Sequence, residues 1–184
     1  SAPPVETRKR KREPKTLPLE VWAPGCCPPS RKEKAEGCIR LNFDKPAMYR
    51  RYKTFEEFKD FMKSQWGLQV RKCKKYPKLG FELVTTRNWD HDEEIPMGFG
   101  ESRYAFFGAI FHNKKGSDAM EASVNTIGLI TPYGDLVLCP DEYCLVRFAN
   151  DCTYGELENS NIKPNLMMFE VVTNGIGDLR VKVV

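Results

Sequence analysis

Two side chains able to hold a polar ligand stand together at Asn150 and Asp151, closing the segment Arg147-Phe148-Ala149-Asn150-Asp151. An amide offers donors and an acceptor, and a carboxylate accepts only. At the mouth of a loop such a pair can bond a polar cofactor instead of completing a sheet. The surrounding stretch, Leu136 to Leu166, carries apolar residues at Leu136, Leu138, Leu145 and Phe148. They predict two short β elements broken at Pro140-Asp141, then a polar loop from Asn150 to Lys163, with strand resuming after Pro164. The segment also reads as an ordinary strand running into a turn, because Asn and Asp bond their own backbone.

The order Asp141, Tyr143, Arg147-Phe148-Ala149-Asn150-Asp151, then Pro164-Asn165 resembles the signature of the SET-domain protein lysine methyltransferases. In that family an aromatic residue and Arg-Phe-x-Asn-His precede a Pro-Asn pair. Asp151 stands where the family has His, and eleven residues separate Cys152 from Pro164. Upstream, Leu68 to Lys72 and Lys78-Leu79-Gly80-Phe81 through Asn88 are similar to the family's opening strands, with Gly80 matching one glycine of its cofactor turn. Gly98-Phe99-Gly100-Glu101 resembles the turn into the next strand.

This resemblance implies an α+β, SET-like fold and S-adenosylmethionine as cofactor, held by Gly80, Arg147, Phe148, Asn150 and Asp151. It implies methyl transfer to an accessible lysine of a protein, histones included, with Tyr143 and Tyr104 as aromatics of the substrate channel. No catalytic residue is assigned. The family's closing Gly-Glu-Glu-Leu…Asp-Tyr segment would begin where the given sequence stops, at Val184. The alternative is a catalytically degenerate SET-like domain acting as a basic module that binds nucleic acid or protein.

The elements that must position these residues are legible upstream. Thr54 with Glu57 opens a helix whose aromatic face is Phe55, Phe58, Phe61, Met62 and Trp66, and Gly67 supplies the stop. This stripe is expected to pack into the core. Cys38 to Phe43 alternates apolar with polar, predicting a strand with one buried face. Tyr104 to Phe111 predicts a buried strand. Residues 117–126 predict a short helix, and Ile127 to Ile130 pairs with Leu136 to Leu138 about a turn at Pro132 to Asp135. Leu166 to Val172 and Leu179 to Val184 form a hairpin about Asn174 to Asp178. Many short strands and hairpins with one clear amphipathic helix predict α+β. The expected division is a basic, Pro-rich flexible tail at 1–37, a flanking strand and helix at 38–67, and the SET-like domain at 68–184.

Charged residues make up 29% of the 184 and hydrophobic ones 41%, an ordinary globular balance. No apolar run approaches the ~20 residues of a membrane span, so no membrane partner is expected. The seven cysteines have no repeated C-x-x-C spacing and read as reduced thiols of an intracellular protein. Cys139, Cys144 and Cys152 lack a nearby His and read as structural, so no metal is expected. His91 likewise reads as part of a solvated loop.

Arg8-Lys9-Arg10-Lys11-Arg12 reads as a nuclear import signal or a phosphate contact, or as a solvated charge run. A second basic stretch holds Arg71, Lys72, Lys74, Lys75 and Lys78, a surface for nucleic acid or an acidic protein, or plainly solvated. Because a basic rim repels basic substrates, Asp90, Asp92, Glu93, Glu94 and Glu101 are expected to line a substrate groove.

Overall fold

The computed structural model describes residues 26–98, 103–112, 127–131, 134–150, 161–173 and 176–184. The tail segment Arg8 to Arg12, residues 117–126, Glu101, Asp151 and Cys152 lie outside them. The elements are helices α1 (Arg31–Ala35), α2 (Lys45–Arg51) and α3 (Phe55–Trp66), and strands β1 (Cys38–Leu41), β2 (Leu68–Lys72), β3 (Phe81–Thr85), β4 (Gly108–His112), β5 (Ile127–Thr131), β6 (Gly134–Pro140), β7 (Leu166–Thr173) and β8 (Ile176–Val183). They form an α+β fold of one four-stranded antiparallel sheet, ordered β1-β4-β6-β5, and two separate hairpins, β2-β3 and β7-β8. Among the described residues no helix is long and apolar enough to cross a membrane.

Helix α3 forms where its capping residues and aromatic spacing predict. The Thr54 hydroxyl accepts from Glu57 N at 3.2 Å, while the Glu57 carboxylate reaches past the cap to Lys53 N at 2.8 Å. At the other end Gly67 adopts φ +65°, and a Cβ there would crowd the Arg87 and Thr86 side chains at 3.0 and 3.1 Å. Phe58 and Met62 are wholly buried. Burial of each contributes roughly 1.5–3 kcal/mol. Around them lie Leu68, Ile110, Leu136, Leu138, Tyr143, Leu145 and Val181, so one core joins the helix, the sheet and the β8 strand.

Three expectations change, and one helix was not anticipated. Within the stretch expected as a flexible tail, residues 1–37, the described residues from 26 onward are structured: the Ser30 hydroxyl and the Glu33 carboxylate cap α1 reciprocally, and Cys27 bridges to Leu41 through two backbone bonds of 3.1 Å. Helix α2 follows β1 directly. Asp44 caps it by accepting from Ala47 N at 3.0 Å, and Pro46 sits in its first turn, where a missing N–H costs nothing. The buried strand expected from Tyr104 becomes regular only at Gly108. Before that point Phe106 N donates to Leu179 O at 2.8 Å, and Phe106 O accepts from Asn42 Nδ2 at 2.7 Å. The Asn42 side chain also takes Gly108 N at 2.7 Å, standing in for a peptide unit where β1 has ended at Leu41. Finally, Leu145–Phe148 is a 3-10 helix instead of a strand. Its two buried residues, Leu145 and Val146, are adjacent, which suits a tight turn pressed on the core and not an alternating strand.

The β7-β8 hairpin is bound to the body through main chain. Asp92 N donates to Val183 O at 2.9 Å, Val183 N to Glu93 O at 3.0 Å, and Ile95 N to Val181 O at 2.8 Å.

Candidate functional site

Gly80 closes the connection between β2 and β3. Pro77–Leu79 make one 3-10 turn, Gly80 N donates to Pro77 O at 3.1 Å, and Cys73 N donates to Gly80 O at 3.0 Å. Gly80 itself takes φ +73° and ψ −82°, a conformation that L side chains rarely adopt. A Cβ built there meets nothing within 4 Å, so one face of this turn is open.

The 3-10 helix Leu145–Phe148 delivers Asn150 to the same place. Asn150 Nδ2 donates to Phe81 O at 3.1 Å across 69 residues of sequence. The rings of Phe81 and Phe148 meet edge to face at 5.9 Å, and Phe148 in turn lies 6.4 Å from Phe55 of α3. The Arg147 guanidinium sits 4.7 Å over the Phe148 ring, and its Nε is buried with no hydrogen-bond partner among the described residues. Four of the five expected cofactor residues, Gly80, Arg147, Phe148 and Asn150, therefore converge. The fifth, Asp151, lies outside the described residues. Having spent one N–H on Phe81, the Asn150 amide retains a second N–H and its carbonyl oxygen for a ligand.

Tyr143 is placed differently from the channel lining expected of it. It is 2% exposed and lies in an aromatic stack, 4.7 Å from Tyr49, 5.0 Å from Phe58 and 5.8 Å from Phe55. Its hydroxyl donates to Tyr52 O at 3.1 Å. A ring so enclosed is a pillar of the core. Tyr104 lies half-buried in the turn before β4, with the Arg103 guanidinium 4.8 Å over its ring. No hydrogen bond or ring contact among the described residues joins it to Gly80 or Asn150. Pro164 and Asn165 are exposed ahead of β7, where Asn165 O accepts from Val184 N at 3.2 Å.

Of the four carboxylates in the run at residues 90–94, three are engaged in ion pairs and Asp90 is exposed. Glu93 pairs with Arg87 at 2.6 Å, Asp92 with Lys182 at 2.6 Å, and Glu94 with Arg180 at 3.4 Å. The Arg87 bond holds the Glu93 carboxyl below its ordinary range, and the Lys182 bond does the same for Asp92. These charges anchor chain to chain. His91 is exposed and among the described residues bonds its neighbour Asp92, at 3.0 Å.

A cleft of about 400 Å³ elsewhere, beside Tyr49 and Asp141, was not foreseen from sequence. The Tyr49 hydroxyl lies between the Asp141 oxygens, at 3.1 and 3.3 Å, and Glu142 Oε1 at 3.0 Å. Burial and the adjacent Asp141 charge push the Tyr49 phenol far above its ordinary value, and burial pushes Asp141 up as well. Lys45 closes the rim by pairing with Glu33 at 2.6 Å. The readable signal was Asp44-Lys45-Pro46, a helix start that places Tyr49 one turn in. The cleft sets three carboxylates, Glu33, Asp141 and Glu142, against one ammonium, Lys45, which pairs with Glu33. Burial also raises the thiols of Cys144 to about 12 and Cys38 to about 11, and no cluster of metal-ligating side chains occurs among the described residues.

No protein-family model, curated protein or solved structure matches the chain.

Proposed function

We propose that the Gly80 turn and the Asn150 segment bind S-adenosylmethionine in a SET-like domain that methylates a lysine side chain of a protein substrate such as a histone, in the nucleus. The observation that carries this reading is the 3.1 Å bond from Asn150 Nδ2 to Phe81 O. It joins the two segments that resemble the family's cofactor-binding motifs, and nothing in their sequence separation requires them to meet.

The residues present suit the cofactor. The open face of Gly80 admits a ligand close to main chain, the remaining donor and acceptor of Asn150 suit its amino-acid end, and the buried Arg147 Nε is a donor awaiting an acceptor. When bound, the cofactor supplies an electron-poor methyl group for in-line transfer to a neutral amine. The contribution of the chain is then positioning and exclusion of water: Phe81 and Phe148 wall the turn with apolar surface, and Asn150 fixes the turn against the 3-10 helix. A lysine leaving water for such surroundings gives up its proton more readily, because desolvation disfavours the charged form.

Calorimetric titration of the 184-residue chain with S-adenosylmethionine, and with its demethylated product, tests the reading. Saturable binding is expected, weakened about tenfold in Asn150→Ala, the effect of losing one hydrogen bond of about 1–1.5 kcal/mol. Circular dichroism of the variant must match the parent. Absence of binding at millimolar ligand, or binding indifferent to the substitution, would overturn it.

A further inference from the structure

The β2-β3 hairpin carries a surface that cofactor binding does not use. Five of the eight residues from Arg71 to Lys78 are Lys or Arg, and Glu82 is the only acidic residue between Leu68 and Thr85. All five cationic residues are exposed. Glu82 is engaged by Arg71, at 2.9 Å. Lys72, Lys74 and Lys75 make no ion pair among the described residues, and Lys75 instead lies 5.3 Å over the ring of the half-buried Tyr76.

The scaffold beneath these charges is fixed. Cys73 is 5% exposed and its N–H is bonded to Gly80 O, so this small apolar residue inside the basic run is a peg that holds the tip in shape. The strands pair in unbroken register from Leu68 with Thr85 to Lys72 with Phe81. Holding several like charges on a rigid turn costs self-repulsion, which a polyanion relieves by displacing its own counterions. An acidic protein surface would have to match the positions of individual carboxylates, whereas a nucleic-acid backbone offers evenly spaced phosphates to any register.

We infer that the tip of the β2-β3 hairpin, through Lys72, Lys74, Lys75 and Lys78, docks on the phosphate backbone of nucleic acid without reading its sequence. This stands independently of whether Asn150 and Gly80 bind a cofactor.

The test is fluorescence anisotropy of the full chain with labelled duplex and single-stranded oligonucleotides of mixed sequence, over about 50 to 200 mM salt. One variant combines Lys72→Gln, Lys74→Gln and Lys75→Gln, and a second replaces Arg8 to Arg12 by Gln. Binding is expected to weaken at least tenfold in the hairpin variant. Its log–log salt slope should be shallower by roughly 0.9 on duplex, or 0.7 on single strand, for each phosphate the variant no longer neutralises. The tail variant reports its own share separately. The inference fails if the intact chain does not bind, or if the hairpin variant keeps both affinity and slope while the tail variant loses them. It fails equally if anionic vesicles or polyglutamate bind more tightly than either oligonucleotide under the same salt. A matching thermal melt of the hairpin variant excludes misfolding as the cause of any weakening.

Discussion

The two free-standing hairpins are attached to the molecule in opposite ways. The β7-β8 hairpin, with eight register pairs, is continued into the body by main-chain bonds at Asp92, Glu93 and Ile95, and Val181 enters the core. The β2-β3 hairpin, with five pairs, follows α3 directly and meets the segment at 145–150 through side chains: Asn150 on the Phe81 carbonyl and Phe148 against the Phe81 ring. Main-chain bonds are indifferent to side-chain identity. The first attachment is therefore the more tolerant of substitution outside Val181, whereas the second rests on named side chains, Phe81, Phe148 and Asn150 together with the core residue Leu68, and weakens when they are changed.

The largest disruption should come from the seat common to both. Phe58→Ala removes a wholly buried ring that touches Tyr52 and Tyr143. A loss of about 3–5 kcal/mol is expected in denaturant unfolding, shared by amides of both hairpins in hydrogen exchange. Gly80→Ala should cost about 1–3 kcal/mol, all of it backbone strain because the added methyl meets no neighbour, and the faster exchange should be confined to β2-β3. Asn150→Ala should cost about 0.5–1.5 kcal/mol, again sensed at Val84 and Leu83 and not at Val181. Lys182→Ala serves as its counterpart: it breaks the ion pair to Asp92 yet should leave the Val181 and Val183 amides as protected as before. Equal responses of the two hairpins to Asn150→Ala would abolish the distinction.

The smallest effect expected is a pH dependence belonging to neither hairpin. Burial raises Asp141 above its ordinary value of 3.8. The folded chain therefore holds a proton that the unfolded chain has released, and the resulting stabilisation is complete below 3.8 and lost as pH rises through the folded value. Urea unfolding across that window should show this loss in the parent and a flatter profile in Asp141→Asn. Amides of both hairpins should report it alike.

Much of this architecture was written in local pattern. Thr54, the aromatic stripe and Gly67 mark α3 because cap, face and stop agree on one answer, and the pattern read at Cys38 to Phe43 marks β1, whose buried residues Cys38 and Leu41 fall on either side of a register shift between Cys38 and Arg40. Helix α2 escaped notice because two turns with Met48 as the sole buried residue carry almost no periodicity, leaving only Asp44 and Pro46 as signals. Leu145 to Phe148 misled because three apolar residues in four, interrupted by Arg147, fit a strand or a tight helix equally well. At the site, sequence order set Gly80 before Asn150, but the bond from Asn150 to Phe81, the residue after Gly80, is a tertiary fact. The burial of Tyr143, expected as a channel aromatic, was equally hidden, since nothing local to Asp141-Glu142-Tyr143 tells that α2 and α3 are laid over it.

The main-chain attachment of β8 has a consequence for synthesis. Glu94 and Arg180, partners across this junction, lie 86 residues apart. A ribosome adding residues at 5–20 per second needs on the order of 4–17 s to cover that distance. Throughout that interval the N–H groups of Asp92 and Ile95 and the carbonyl of Glu93 have emerged without the strand they will bond. The nascent chain thus presents a short unpaired edge, and the charges at Asp92, Glu93 and Glu94 are what discourage another chain from pairing with it first.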